Sequence, residues 1–230
     1  MPAYLIKKIL QDIKNQIIKD RFVLILNGLI LLLFITMAVY VKLAGSYYGS
    51  DYFARVGLLT VLFSEPPFLK GQLHVGFFTQ LSEILWCISF AICLFSFGLL
   101  KSLHPRRKGD LFILFSAIGL AVLLVDDIFR FTLELTLSAG VPKVLMYSIY
   151  GIAAVSYSFL FWRRIRSTPY ILLLIAIALF VVSGMTDLLD LKGIGTPLIL
   201  EDGTKFLGLI NIILYFWSVC QGEITRSRSY

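Results

Sequence analysis

The chain has 230 residues, of which 58% are hydrophobic and 15% are charged, and its formal net charge is +7. Soluble domains have about 45–50% apolar and about 25% charged residues, so the composition excludes an ordinary soluble protein and indicates a membrane protein. The positive charge does not indicate nucleic-acid binding, because the basic residues lie in short clusters between apolar runs and form no single patch.

Residues 1–21 contain apolar and basic side chains interspersed along the segment. At helical spacing its apolar residues share one face, with the lysines mostly on the other: Ile6, Ile9, Leu10, Ile13 and Ile17. This pattern predicts an amphipathic helix at the cytoplasmic interface that is attracted to anionic lipid. A segment that packs against the rest of the protein would have the same pattern.

Six apolar runs follow, each about 17–25 residues long and therefore long enough to cross a hydrocarbon core of roughly 30 Å. They predict an all-α integral membrane protein, a six-span helical bundle over residues 22–222 with a tail at 223–230. The predicted spans are 22–43, 76–100, 111–135, 144–162, 169–187 and 205–222. The long loop 44–75 could form a surface helix, a re-entrant segment or a hairpin.

Basic residues distinguish the two sides of the predicted bundle. One set of loops and termini contains fourteen lysines and arginines, and the opposite loops and span ends contain six. Since positive residues concentrate on the cytoplasmic side of membrane proteins, both termini are expected in the cytoplasm. The spans between them are expected to contact the lipid bilayer.

Ionisable residues of four predicted spans fall in the extracytoplasmic half of this topology. A charge within a span is expensive and is therefore a candidate for function. The residues are Glu83 in the second span, Asp126, Asp127, Arg130 and Glu134 in the third, Asp187 in the fifth, and Glu201, Asp202 and Lys205 in the sixth.

Helical spacing supports convergence of these residues. Arg130 lies three or four residues from each of Asp126, Asp127 and Glu134, which predicts one shared helical face. Glu201 and Lys205 are four residues apart, and Asp202 has the character of a residue at a helix start, where a carboxylate satisfies free backbone N–H groups.

Acids outnumber bases in this region by eight to three. The acids are Glu83, Asp126, Asp127, Glu134, Asp187, Asp190, Glu201 and Asp202, and the bases are Arg130, Lys192 and Lys205. The excess must be hydrated, protonated or bound to a cation or an amine. Asp187, Asp190 and Glu134 are expected to be hydrated at helix ends. In the alternative interpretation the charges are structural ion pairs, with Arg130 between its acidic neighbours.

Three functions agree with this pattern. The first is a binding or transport module in which Glu83, Asp127 and Glu201 accept a cation, protons or an amine, while Arg130 and Lys205 adjust their acidity. The second is an intramembrane enzyme that acts on a lipid or quinone-like substrate with a carboxylate as general base. The third is a non-catalytic assembly subunit. The sequence identifies no cofactor beyond a candidate bound cation, no metal ligand set, and no oligomeric state.

Two segments, VDDIFRFTLE at 125–134 and LILEDGTKFLG at 198–208, resemble a group of uncharacterised bacterial polytopic membrane proteins. In that group one span ends in Asp-Asp/Glu-x-x-x-x-His-Glu and a later span starts with Leu-Glu-Asp/Glu-Gly-x-Lys-Phe-x-Gly. The resemblance implies a bacterial inner membrane protein and names no activity. Thr132 and Leu133 stand where the group has His-Glu, which implies that any function of that pair is altered here.

A more distant similarity is to intramembrane zinc hydrolases of the alkaline ceramidase type, which are also compact bundles with polar groups near one face. Those enzymes need several histidines for zinc. None of the predicted spans contains a histidine, so this similarity supports no zinc site.

Overall fold

The structure is a computed structural model and describes residues 21–48, 77–103, 111–189 and 196–228. These residues are almost entirely helical and contain no strand. The helices are α1 (Arg21–Tyr48), α2 (Phe77–Leu103), α3 (Leu111–Phe129), α4 (Phe131–Ala139), α5 (Lys143–Leu160), α6 (Trp162–Arg166), α7 (Tyr170–Leu188) and α8 (Thr196–Arg228). The predicted interfacial helix at 1–21 and most of the loop at 44–75 lie outside the described residues.

Five of the described helices are long and apolar enough to cross a membrane: α2, α3, α5, α7 and the Ile199–Ser227 part of α8. Helix α1 contains a shorter apolar stretch, Ile25–Tyr40. The expectation of an all-helical, multi-pass membrane protein is therefore confirmed. Large apolar side chains face outward on every one of these helices, as lipid contact requires.

Helix α8 is the centre of the bundle and packs against α1, α2 and α7. Its core side chains include Leu209 and Tyr215, which are fully buried. With 33 residues it is about 50 Å long and exceeds the roughly 30 Å hydrocarbon core. It begins at Thr196, well before the predicted span 205–222. Asp202 therefore lies inside the helix, and the predicted role at a helix start does not hold.

Helix α3 ends at Phe129, so the predicted span 111–135 consists of two helices in the structure. Arg130 between them adopts the left-handed backbone conformation (φ 50°, ψ 41°) and is the one non-glycine residue with positive φ in the described ranges. This conformation is uncommon for a residue with a side chain and ends the regular hydrogen bonding of α3. Helix α4 then begins at Phe131 and ends at Ala139, and its C-cap residue, Gly140, is also left-handed.

A pair of asparagines joins α1 to α8. The Asn211 side-chain amide donates to Asn27 Oδ1 at 2.7 Å, and the Asn27 amide donates to Asn211 Oδ1 at 3.2 Å. Each amide also donates to the carbonyl four residues earlier on its own helix. Asn211 is fully buried, so the pair specifies where α1 lies against α8.

Replacing Asn211 with leucine is expected to destabilise the bundle by about 1–2 kcal/mol, because Asn27 then loses its partner inside the membrane. Unfolding titrations in mixed micelles would measure the change. Gln221→Leu, at an exposed position on the same helix, is the control and should change stability little. Equal effects of the two variants would contradict a specific role for the asparagine pair.

Candidate functional site

Charged side chains of α3 and α8 meet in an ion pair. Lys205 donates to Asp127 Oδ1, and the two side chains retain 25% and 17% of their exposure. The other carboxylate oxygen, Oδ2 of Asp127, is buried and has no hydrogen-bond partner within the described residues. The predicted convergence of the third and sixth spans is thus observed at these two residues.

A second ion pair joins α5 to α7. Lys143 Nζ lies 2.7 and 3.0 Å from the two oxygens of Asp187, and the Tyr147 hydroxyl donates to Asp187 Oδ2 at 2.7 Å. The expectation that Asp187 is simply hydrated is therefore wrong. Lys143 and Tyr147 were not among the predicted site residues, although their i, i+4 spacing at the start of a span places them on one helical face.

Asp126 stabilises the start of α4 after the break at Arg130. Its carboxylate accepts hydrogen bonds from the Thr132 backbone N–H at 2.8 Å and from the Thr132 hydroxyl at 2.9 and 3.0 Å. It thereby acts as a helix N-cap residue from a distance of six residues. The predicted alignment of Asp126, Arg130 and Glu134 on one face of a continuous helix does not hold across this break.

Two carboxylates of the region, those of Glu83 and Glu201, make no hydrogen bond or ion pair with any described residue. Both side chains are half-buried. Glu83 on α2 interacts electrostatically with Asp127, Lys205 and Arg130. Glu201 on α8 interacts in the same way with Asp187, Lys143 and Lys205, and with its neighbour Asp202.

The structure thus brings most of the predicted residues together in two groups and leaves Asp126 and Glu134 outside both. Glu83, Asp127, Arg130 and Lys205 form one group, and Asp187 and Glu201 form a second group with Lys143. Lys205 acts on both Glu83 and Glu201 and so connects the groups. Asp202 is half-buried beside Glu201, whereas Glu134 on α4 is exposed.

The segment LEDGTKFLG brings α8 close to its neighbours. A Cβ atom at Gly203 would approach the Phe34 ring of α1 to 3.0–3.3 Å, and one at Gly208 would approach the Phe180 ring of α7 to 3.1–3.3 Å. The Phe206 ring packs edge-on against Phe34 and Phe78 at 6.0 and 5.6 Å. These contacts fix the rotation of α8 and direct Lys205 toward Asp127.

Acids remain in excess after these pairings. Among the described residues of this region there are seven carboxylates (Glu83, Asp126, Asp127, Glu134, Asp187, Glu201 and Asp202) and three cations (Arg130, Lys143 and Lys205). No three His, Cys, Asp or Glu side chains of the described part of the chain lie close enough together to hold a metal ion. The described carboxylates are therefore not gathered into one metal-binding cluster.

A family model described as "Domain of unknown function (DUF8692)" matches residues 26–219, which is most of the chain. The chain belongs to this family. The match extends from α1 through most of α8, so the family domain includes the Asp127–Lys205 and Asp187–Lys143 ion pairs and the two glutamates, Glu83 and Glu201. No curated protein and no solved structure matches the chain significantly.

Proposed function

We propose that the protein is a six-span protein of the bacterial inner membrane that binds a positively charged group, a proton or an amine, at the carboxylates of Glu83, Asp127 and Glu201. In this proposal α1 is the first span, both termini lie in the cytoplasm, and the site faces the extracytoplasmic half of the membrane. The excess of basic residues in the loops on the other side supports this orientation. Reporter fusions at both termini would test it.

The observation that carries the proposal is the presence of two half-buried glutamates without a partner among the described residues. A carboxylate charge within the membrane costs about 2.5–3.5 kcal/mol unless a counter-charge compensates it. Lys205 is already paired with Asp127 and Lys143 with Asp187, so these two cations compensate Glu83 and Glu201 only in part. Arg130 also acts on Glu83 without forming an ion pair with it. A proton or an ammonium group at each glutamate would supply the missing positive charge.

Asp127 adds an acceptor to the Glu83 part of the site. Its Oδ2 atom is buried without a hydrogen-bond donor in the described structure, and its charge acts on Glu83. A proton on Glu83, or an amine between the two side chains, would donate to this atom. The Lys205 ion pair holds Asp127 in place for that role.

The double variant Glu83→Gln, Glu201→Gln tests the proposal because it removes both charges with little change in shape. Two measurements cover the two ligands: the infrared C=O band of a protonated carboxyl group, and the rise in melting temperature on addition of benzylammonium chloride. At least one of these two signals, the infrared band or the rise in melting temperature, should be present in the wild type and lost in the double variant.

Glu134→Gln is the matched control, since Glu134 belongs to the same region but is exposed. It should keep the infrared band and the response to benzylammonium. Absence of both signals in the wild type, or their persistence in the double variant, would contradict the proposal.

A second candidate function is a structural role as an assembly subunit. It is favoured by the observation that Asp126, Asp127 and Asp187 all have protein partners that connect helices or helix segments. In that case the double glutamine variant should be at least as stable as the wild type and respond identically to added amine.

A further inference from the structure

A groove of about 460 Å³ runs along the side of α3 that carries the exposed side chains of Ile118, Val122 and Val125. Helix α2 bounds it with Phe90 and Leu94, and α4 and α5 bound it with Phe131 and Tyr150. Its floor includes the small side chains of Ala117 and Ala121, which leave the space open. All lining side chains are apolar except two, Asp126 and Tyr150, and Asp126 lies at one end of the α3 segment.

The groove exists because α5 touches the rest of the bundle mainly near its two ends. Near one end Lys143 and Tyr147 bind Asp187 of α7. Near the other end the Tyr157 hydroxyl lies 2.6 Å from Ser116 Oγ of α3, and its ring stacks on Phe112. No residue of α5 is buried, so the middle of this helix does not fill the space beside α3.

The polar end of the groove contains a carboxylate, that of Asp126, which has no cationic partner among the described residues. Asp126 accepts hydrogen bonds from Thr132 and forms no ion pair with a described residue. The Tyr150 side chain lies beside Thr132 and Asp126. A carboxylate next to hydrocarbon favours a cationic partner.

We propose that this groove binds one hydrocarbon chain of a membrane amphiphile whose headgroup is a primary amine. The chain lies along Ala117 and Ala121, and the ammonium group donates to Asp126 beside the Tyr150 hydroxyl. From Leu114 to Asp126 the groove is about 18 Å long at 1.5 Å per residue, close to the roughly 15 Å depth of one leaflet. An amphiphile of one leaflet therefore matches both its length and its polarity.

This site is independent of the proposed cation site. Asp127 points to Lys205 of α8, whereas Asp126 lines the groove between α2, α3 and α5. The substitutions that test the groove leave Glu83 and Glu201 unchanged, so either proposal can fail without the other.

Native mass spectrometry of the purified protein, titrated with hexadecylamine, hexadecanol and palmitate, tests the proposal. One hexadecylamine should bind saturably, and at least about tenfold more tightly than the alcohol, because a hydrogen bond with a charge on both sides is stronger than one to a neutral hydroxyl. Asp126→Asn should remove this preference for the amine while the alcohol still binds. Ala121→Trp, which fills the groove, should weaken all binding by about tenfold or more.

Ala178→Trp is the matched control for groove filling, because Ala178 is exposed on α7 away from the groove. Thr132→Val is the control for the cap of α4, since it removes the hydroxyl bonds to Asp126 and leaves the carboxylate. Both controls should keep the preference for the amine. If Asp126→Asn does not fold, Tyr150→Phe and Ala121→Trp provide the test.

Two results would overturn the proposal. One is equal affinity of the wild type for the amine, the alcohol and the acid. The other is saturable amine binding that Ala121→Trp weakens no more than Ala178→Trp does.

Discussion

Replacing Lys205 with methionine is expected to lower the free energy of unfolding by about 3 kcal/mol, because a carboxylate inside the bundle loses its counter-charge. Within the described residues Lys205 is the only ion-pair partner of Asp127, whose Oδ2 atom is already buried without a hydrogen bond. This loss of unfolding free energy lies at the lower end of the range for broken buried ion pairs, since both side chains keep some exposure. Unfolding titrations in mixed micelles would measure it.

A double variant separates the cost of the lone charge from the value of the pair. Asp127→Asn combined with Lys205→Met should recover much of the lost stability, because the uncompensated charge is then gone. Arg226→Met is the control, since Arg226 is 63% exposed and lies near the far end of α8. It should cost less than about 0.5 kcal/mol. A similar loss for Lys205→Met and Arg226→Met would contradict the importance of the buried pair.

Replacing Gly203 with valine is expected to destabilise the protein by about 2–3 kcal/mol through overpacking. A single Cβ atom at this position would already lie 3.0 Å from the Phe34 ring. Phe34 is 6% exposed and packs against Phe78 and Phe206, so it has little room to move. Besides the stability loss, α8 should shift away from α1, which cross-linking between these helices would detect.

Gly119→Val is the matched control, because it makes the same change in a helix at an exposed position with no atom within 4 Å of the added Cβ. It should leave stability close to that of the wild type. Replacing Phe34 with leucine should lessen the cost of valine at 203, since the smaller side chain makes room. If valine is tolerated equally at both glycines, α8 does not depend on close approach to α1.

The charged region shows how far sequence reasoning extends in this protein. The apolar runs located Glu83, Asp127, Glu201 and Lys205 near one end of the bundle, and their electrostatic interactions agree with that placement. The sequence predicts the contacts of the charged residues with one another less well. The sequence pattern does not indicate Lys143, which binds Asp187, and it predicts for Arg130 a helical face that does not exist because α3 ends before it.

The differences between prediction and structure at Lys143 and Arg130 have one physical cause. Helical spacing describes contacts within one helix, and it fails where the backbone leaves the helix, as at Arg130. Contacts between helices depend on how each helix is rotated. Here that rotation follows from packing such as the Phe34 ring against Gly203 and the Asn27–Asn211 pair. A single sequence does not reveal these distances.

The sequence by itself determined the class of protein, because it contains apolar runs long enough to span a bilayer. A helix across the bilayer satisfies every backbone hydrogen bond within such a run. The sequence also determined which residues carry charge within the spans. Only the tertiary structure decided which of those charges neutralise each other, that Asp126 caps α4, and that α5 leaves a groove beside α3. Each of these depends on distances of a few ångströms between segments far apart in the chain, and such distances are set by side-chain packing.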